Sequence, residues 1–356
     1  MKAFQNILIV RTDRIGDVVL TTPAIKVLRQ AYPGARISIL ISPATRDLIE
    51  GNPYLDEIIM DDRENEHRGW KGLIRLAALL RRLKFDLAII YHTKKRTNLM
   101  CFLAGIPCRV GYKNNKLGFL LTDPIADERH HGRRHEAQYC LDVLQHLGIG
   151  GNEIFRKSLE DLADDLYVAV RPESECWIEE LWQKNRIHSY ECVAAIHPGA
   201  SDPSKRWPWY RFCELIDQLA QRYDSRIVLV GTNDGRDAAS LVLSRIRVPA
   251  LDLTGQMTLS QLASLLRRCR LLVSNDSGPV HVAAGVGTPV VSIFTRNHPG
   301  INPQRWQPLG RKSRFVSAAF DTSIFFAKSA AANPQYLEAI STQQVLEAVD
   351  SIFKLC

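Results

Sequence analysis

The segment Asn275-Asp-Ser-Gly278, set between the apolar runs Leu271 to Val273 and Val290 to Phe294, gathers the densest set of reactive groups in this chain. A carboxylate, a hydroxyl and flexible backbone stand together where a helix begins, and Pro279 fits the first turn of that helix. Free N–H groups and the positive end of the helix dipole favour an anion there, so the segment reads as a phosphate-and-sugar pocket. Taken alone, Asp276 also fits a simple helix cap, and His281, on the apolar helix that follows, fits a hydrogen-bonded core histidine.

A second cluster raises the case for a ligand. His197-Pro-Gly-Ala-Ser-Asp-Pro-Ser-Lys-Arg-Trp-Pro208 follows a strand and precedes a helix. Ser201 and backbone N–H groups suit phosphate oxygens, and Lys205 offers a point charge to a departing diphosphate. A solvent loop ending in a helix start is the plainer reading, and Trp207 fits packing better than base stacking. Both loops leave strands at the same sheet edge and are expected to converge. Val230-Gly-Thr-Asn-Asp-Gly235 ends another strand there; Asp234 suits a ribose, or equally a turn with a helix cap.

A third cluster lies near the N-terminus. Arg11-Thr-Asp-Arg-Ile-Gly-Asp17 sits at the carboxyl end of a strand, where open α/β sheets bind ligands. It is no dinucleotide fingerprint, because Gly16 is its only glycine and that turn needs three. Asp17 reads either as a first-turn carboxylate favoured by the dipole or as a general base at a cleft. A helix N-terminus weakens a carboxylate as a base, and the second reading therefore needs partial burial as an offset.

Two βα series are expected to position these groups, giving an α/β protein of two doubly wound halves. In the first, strands are expected at 6–10, 36–41, 57–60 and 86–90, and helices at 16–31, 72–83 and 134–147. In the second, strands are expected at 191–196, 226–231, 271–273 and 290–294, and helices at 209–223, 234–245 and 260–267. The boundaries follow as a first domain over 1–171, a hinge over 172–190 and a second domain over 191–333. A tail at 334–356, with its apolar stripe through Val345, Leu346, Val349 and Ile352, is expected to fold back on the first half.

Composition sets the bounds. A chain of 356 residues suits two domains of roughly 150 residues each. Apolar content of 46% with 24% charged residues excludes disorder as the default. The N-terminus lacks the apolar core of a signal peptide, and no apolar run is long enough to span a bilayer, so a cytoplasmic protein is expected. Eight cysteines without a Cys-x-x-Cys pair point to buried thiols rather than zinc or disulfides. The net charge of +8 favours an anionic partner. From Leu87 to Thr122 there is no acid, while Lys94, Lys95, Arg96, Arg109, Lys113 and Lys116 fall in that window, and Arg129-His-His-Gly-Arg-Arg-His135 follows. These windows fit a solvated basic face, or a site for an acidic acceptor or membrane surface. Nucleic acid is not expected, for the windows lack an interleaved aromatic pattern. No zinc set is evident, since Asp123, Asp127, His130 and His131 lack ligand spacing.

With Ile7-Leu-Ile-Val-Arg-Thr-Asp-Arg-Ile-Gly-Asp-Val-Val-Leu-Thr-Thr-Pro-Ala24, His197-Pro-Gly-Ala200, Lys205-Arg-Trp-Pro208 and Ser274-Asn-Asp-Ser-Gly-Pro-Val-His281 in order, the chain resembles glycosyltransferase family 9, the lipopolysaccharide heptosyltransferases. The resemblance covers the first sixty residues and most of the second half. It implies two Rossmann-like domains facing a cleft (GT-B type) and transfer from ADP-heptose with inversion, without metal or other cofactor. Asp17 then resembles the family's catalytic base and Lys205 its phosphate-binding lysine. Asp276, Ser277 and Gly278 resemble the segment touching the donor's sugar and diphosphate, joined by Ser201, Asp234 and His281 as donor-binding residues. Lys94, Lys95, Arg96, Lys113 and Lys116 are expected to meet an anionic glycolipid acceptor or the inner-membrane surface. One departure stands out: Phe294-Thr-Arg-Asn-His-Pro-Gly300 replaces the Gly-Pro-Thr run expected after that strand.

Two other functions fit the same residues. A nucleotide-sugar epimerase would need no lipid acceptor, and a non-catalytic sugar-binding protein would tolerate loss of the acid at position 17.

Overall fold

The computed structural model describes residues 3–188, 191–319 and 335–354. Ser189 and Tyr190 of the expected hinge, positions 320–333 of the expected second domain, and Pro334 and Cys356 lie outside the described residues. The chain divides into two compact units. The first comprises Met1–His130, Glu136–Ser158 and Asp165–Tyr167, and the second comprises His131–His135, Leu159–Asp164 and Val168–Cys356.

Six parallel strands form the sheet of the first unit: β1 (Asn6–Val10), β2 (Arg36–Ile41), β3 (Glu57–Met60), β4 (Leu87–Ile90), β5 (Cys108–Lys113) and β6 (Asp123–Ala126). Their order is β3-β2-β1-β4-β5-β6, so the chain reverses its direction of travel between β1 and β4. Helices α1 (Ile15–Ala31), α2 (Gly69–Leu83), α3 (Lys95–Leu103), α4 (Glu136–His146) and the single turn α5 (Asn152–Phe155) complete it. Strands buried on both faces explain the unbroken apolar runs of β1 and β4. Leu8, Val10, Ala88 and Ile90 pack beneath Leu73, Leu76, Ala77 and Leu80 of α2 and Met100 and Cys101 of α3. Side chains alternate along a strand, which sends Ile7 and Ile9 to the opposite face.

Helix α1 carries Pro23 in its interior, which has no N–H for the carbonyl four residues earlier. That carbonyl belongs to Val19 and accepts instead from the Thr22 hydroxyl at 2.7 Å. The sequence thus supplies its own repair for the missing backbone bond.

The second unit repeats the plan. Strands β7 (Val193–His197), β8 (Arg226–Leu229), β9 (Ala250–Asp252), β10 (Leu271–Asn275), β11 (Val290–Phe294) and β12 (Ser313–Ser317) are parallel, in the order β12-β11-β10-β7-β8-β9. Counted from its own first strand this is the same order as in the first unit, with the reversal between β7 and β10. The helices are α6 (Leu159–Ala163), α7 (Pro172–Lys184), α8 (Trp209–Tyr223), α9 (Arg236–Leu243), α10 (Leu259–Arg268), α11 (Gly278–Gly285), α12 (Pro303–Trp306), α13 (Gln335–Glu338) and α14 (Thr342–Phe353).

Two expectations about this unit change. The stretch read as a hinge forms α7, which belongs to the second unit and is held on α10. Ser174 and Ser260 hydroxyls meet at 2.8 Å, and Arg268 reaches Glu175 at 3.0 Å and Glu179 at 2.9 Å. The apolar stripe of the tail forms α14 as expected, capped by Ser341 and Gln344. Its Val345, Leu346, Val349 and Ile352 are buried with Phe212, Leu215, Ile216 and Leu219 of α8 in the second unit's own core, not laid on the first half. An amphipathic stripe says that one face is buried, without naming the surface that covers it.

Candidate active site

In the second unit, the point of strand reversal brings two of the sequence clusters together. The carboxyl ends of β7 and β10 are neighbours, with Ser274 in register with His197. Lys205, from the loop after β7, places its ammonium 2.5 Å from Asp276 Oδ2 and 3.2 Å from the Asp276 carbonyl oxygen. An ammonium has three protons to donate, so this pairing leaves one for a ligand. Directly after Asp276, Ser277 occupies the N-cap of α11 in extended conformation, and Gly278 and Pro279 open the helix. Pro279 has no N–H and Val280 N donates to the Ser277 carbonyl at 3.2 Å, so the Gly278 N–H stands at the positive end of the dipole.

Buried polar groups hold this arrangement. His197 Nδ1 lies 3.0 Å from both the Ser274 and Ser277 hydroxyls. Both hydroxyls also donate to the Asn275 carbonyl, at 2.7 and 3.0 Å. Burial pushes the His197 imidazole down to about 4, so it stays neutral. The Asn275 amide donates to the carbonyls of Pro198 and Gly199 and accepts from the Trp207 amide. This buried side chain therefore shapes the Lys205 loop, a role not recognised in the sequence although the residue sits inside a quoted motif. Trp207 is a packing residue: its ring meets Phe212 edge-on at 5.0 Å and its N–H donates to the Ile340 carbonyl.

Two glycines are dictated by close approach. A Cβ on Gly199 would stand 2.7 Å from Gly235 Cα, and one on Gly231, whose φ is +148°, 2.9 Å from His197 Cδ2. The first contact presses the loops after β7 and β8 together. Asp234 lies in the 3-10 turn Asn233–Gly235 and is exposed, with its carbonyl accepting from Arg206 at 3.2 Å. Ser201 is exposed on the Lys205 loop, and His281 is buried within α11.

The departure after β11 also has a role. Thr295 donates its hydroxyl proton to the Ser204 carbonyl at 2.9 Å, and Arg296 pairs with Asp202 at 2.8 Å. Asp202 in turn caps the turn that carries Lys205, accepting from Ser204 N at 3.0 Å. Thr295 and Arg296 hence strap the Lys205 loop to β11.

In the first unit, the reversal point collects a different chemistry. Arg11, fully buried at the end of β1, gives Nη2 to Asp17 Oδ1 at 2.8 Å and to Glu136 Oε1 at 2.8 Å, while Nε donates to the Asp17 carbonyl at 3.1 Å and lies 3.3 Å from Asp13. Burial disfavours the guanidinium charge, but Asp13 and Asp17 outweigh it and hold Arg11 well above its ordinary value. Asp17 is in the first turn of α1 with its side chain 14% exposed. His92, just past β4, is pushed down to about 4, chiefly by burial and against the opposing charge of Asp13. Thr12 accepts from Arg63 at 2.6 Å and lies 3.0 Å from His92 Nδ1. Glu136 and His92 carried no signal in the sequence, because Glu136 stands 125 positions from its partner.

The basic window divides. Lys94, Lys95, Lys113 and Lys116 are exposed, whereas Arg96 is spent inside the unit. It pairs with buried Asp61 at 2.9 Å and donates to the His67 carbonyl at 2.7 Å. Burial opposes the charge on Asp61, yet hydrogen bonds from Arg96 and Arg63 hold its carboxyl below the usual range. Burial, followed by the neighbouring Lys116, lowers Lys94. Arg109 is likewise directed inward, donating to the Leu120 carbonyl.

Two Rossmann-like units, each with polar groups at its point of strand reversal, define the GT-B class. The model of glycosyltransferase family 9 (heptosyltransferase) matches residues 73–334, and the chain belongs to that family of glycosyltransferases. Lipopolysaccharide heptosyltransferase 2 of Escherichia coli (strain K12) is 25% identical over 354 residues, 98% of either chain. A family 9 glycosyl transferase structure from Veillonella parvula DSM 2008 superposes with a TM-score of 0.87 at 25% identity, covering 100% of this chain and 99% of that one. The structure of E. coli ADP-heptose lps heptosyltransferase II superposes at 0.75 with 23% identity, covering 98% of both chains, and shares the fold. Among the described residues, no helix is long and apolar enough to cross a membrane.

Proposed function

We propose that this protein moves a heptose from ADP-heptose to an anionic saccharide of the lipopolysaccharide core, with inversion at the anomeric carbon and without a metal ion. The pairing of Lys205 with Asp276 carries the reading, because it joins two separately encoded motifs where a helix N-terminus offers free amides. Family membership and the names of the relatives support the substrate class.

In this reading the acceptor hydroxyl oxygen bonds to the anomeric carbon from the face opposite the nucleotide, the bond to the diphosphate breaks, and Asp17 takes the hydroxyl proton. Arg11 orients the Asp17 carboxylate for that task. Negative charge growing on the diphosphate is met by the remaining Lys205 proton and the amides at Ser277 and Gly278, with Ser201 and Asp234 as further donor contacts and His281 behind them. Asp276 fixes Lys205 and holds a sugar hydroxyl. Lys94, Lys95, Lys113 and Lys116 receive the acidic acceptor on the cytoplasmic side of the inner membrane, whereas Arg96 supports them through Asp61.

Incubation with ADP-heptose and a truncated core glycolipid tests the reaction: the acceptor gains the mass of one heptose. A rearranged donor with an unchanged acceptor defeats transfer in favour of epimerisation. Asp17→Asn keeps donor affinity and loses turnover by roughly a hundredfold or more; a variant of undiminished turnover removes Asp17 from the mechanism.

A further inference from the structure

Helix α2 has apolar groups on two sides. Leu73, Leu76, Ala77 and Leu80 are buried on the sheet, as the helical period requires. Trp70 and Ile74, one turn apart, nevertheless remain 60% and 47% exposed, and Leu79 42%. Phe102 on α3, which packs beside α2, is 47% exposed. Single apolar side chains on a surface, such as Leu79 on the other side of α2, need no explanation, but Trp70 and Ile74 are neighbours on one helix face and form a patch.

Helix α2 and its immediate flanks carry charge of one sign. From His67 to Phe85 there is no acid, while Arg68, Lys71, Arg75, Arg81, Arg82 and Lys84 all fall within it and all are exposed. Among the described residues none of these six forms an ion pair. Helix α8 shows the contrast: its Arg211 is paired to Glu338 of α13 and its Arg222 lies near Asp350 of α14. A tryptophan at one end of an apolar row, with lysine and arginine one residue further along each turn, is the pattern of a helix lying in a membrane interface.

We propose that the exposed face of α2, with Phe102 of α3 beside it, docks the first unit on a bilayer surface rich in anionic headgroups. Trp70 and Ile74 enter the boundary between headgroups and acyl chains, and Lys71 and Arg75 lie at the lipid phosphates. Charge complementarity selects this occupant: a helical segment with six exposed cations and no acid, beside an exposed tryptophan, matches a phosphate plane. The proposal stands on this surface alone and is independent of the transfer reaction.

Cosedimentation of the full chain with phosphatidylethanolamine–phosphatidylglycerol vesicles, against phosphatidylcholine vesicles, is the test. Binding is expected to the anionic vesicles, to fall with added salt, and to quench tryptophan fluorescence when the lipids are brominated. Lys71→Gln and Arg75→Gln each weaken it about fivefold. The pair Trp70→Ser with Ile74→Ser weakens it roughly tenfold and removes most of the quenching. These variants keep the melting temperature and the turnover on a detergent-soluble acceptor. Equal binding to both vesicle types, absence of binding, or a loss of self-association in the variants with unchanged vesicle binding each overturns the proposal, the last by making a second copy of the chain the occupant.

Discussion

Replacing Arg11 by methionine tests whether one guanidinium holds the carboxylates of the first unit in place. The change keeps volume and removes charge. Arg11 is 1% exposed, and the Glu136 side chain that meets it at 2.8 Å is 2% exposed, so the loss falls on a pair shielded from water. Breaking a buried pair by removing one partner costs about 3–5 kcal/mol. For a unit of this size each kcal/mol moves the midpoint by about 2–4 °C, which converts to a fall of roughly 6–20 °C. Scanning calorimetry with hydrogen exchange assigns the transition, since two units need not unfold together. Adding Glu136→Gln to Arg11→Met is expected to restore part of the loss, because it removes a buried charge that no longer has Arg11 opposite it. A midpoint shift under about 2 °C, or a double variant less stable than the single one, would refute the reasoning.

Two further outcomes follow from the second unit. His197 is pushed down to about 4 from its ordinary 6.5 by burial, so below pH 6.5 the unfolded chain takes up a proton that the folded one refuses. This contribution is complete above pH 6.5, is lost as pH falls towards 4, and amounts to about 3 kcal/mol; His197→Gln should flatten the corresponding slope in a melting-temperature series. Gly199→Ala puts a Cβ 2.7 Å from the Gly235 backbone, costs about 1–3 kcal/mol and raises the donor KM, whereas Gly34→Ala, with nothing within 4 Å, leaves melting and kinetics unchanged.

Legibility followed burial. β1, β2, β11 and α8 begin and end where the apolar patterns place them, because strands covered on both faces and a strongly amphipathic helix leave unambiguous periods; β3, an edge strand, is legible from its short run Ile58-Ile59-Met60. β5, β6, β9 and β12 were not anticipated. Arg109 and Gly111 interrupt β5, Pro124 sits inside β6, β9 has three residues, and β12 opens with Ser313 and Arg314. β6, β9 and β12 are edge strands and β5 is an interior one; all four are specified by the neighbours they pair with more than by their own composition. α3 escaped notice because Lys95 and Arg96 open it without a side-chain pattern of one face. Among the candidate residues, local motifs singled out Asp17 in the first unit and Lys205 and Asp276 in the second, because each follows a strand end. Glu136 and the inward turn of Arg96 depend on contacts that only folding creates.

The loop bearing Lys205 is anchored on three sides: by Asn275 to the end of β10, by Thr295 and Arg296 to β11, and by the Gly199–Gly235 contact to the turn after β8. A cation delivered on so stiff a mount surrenders little freedom when an anion arrives, and less of the attraction is consumed in ordering the chain. The same stiffness makes the mount intolerant: a change at any of the three anchors moves the charge itself, so alterations at positions that never touch a ligand should register as losses of affinity.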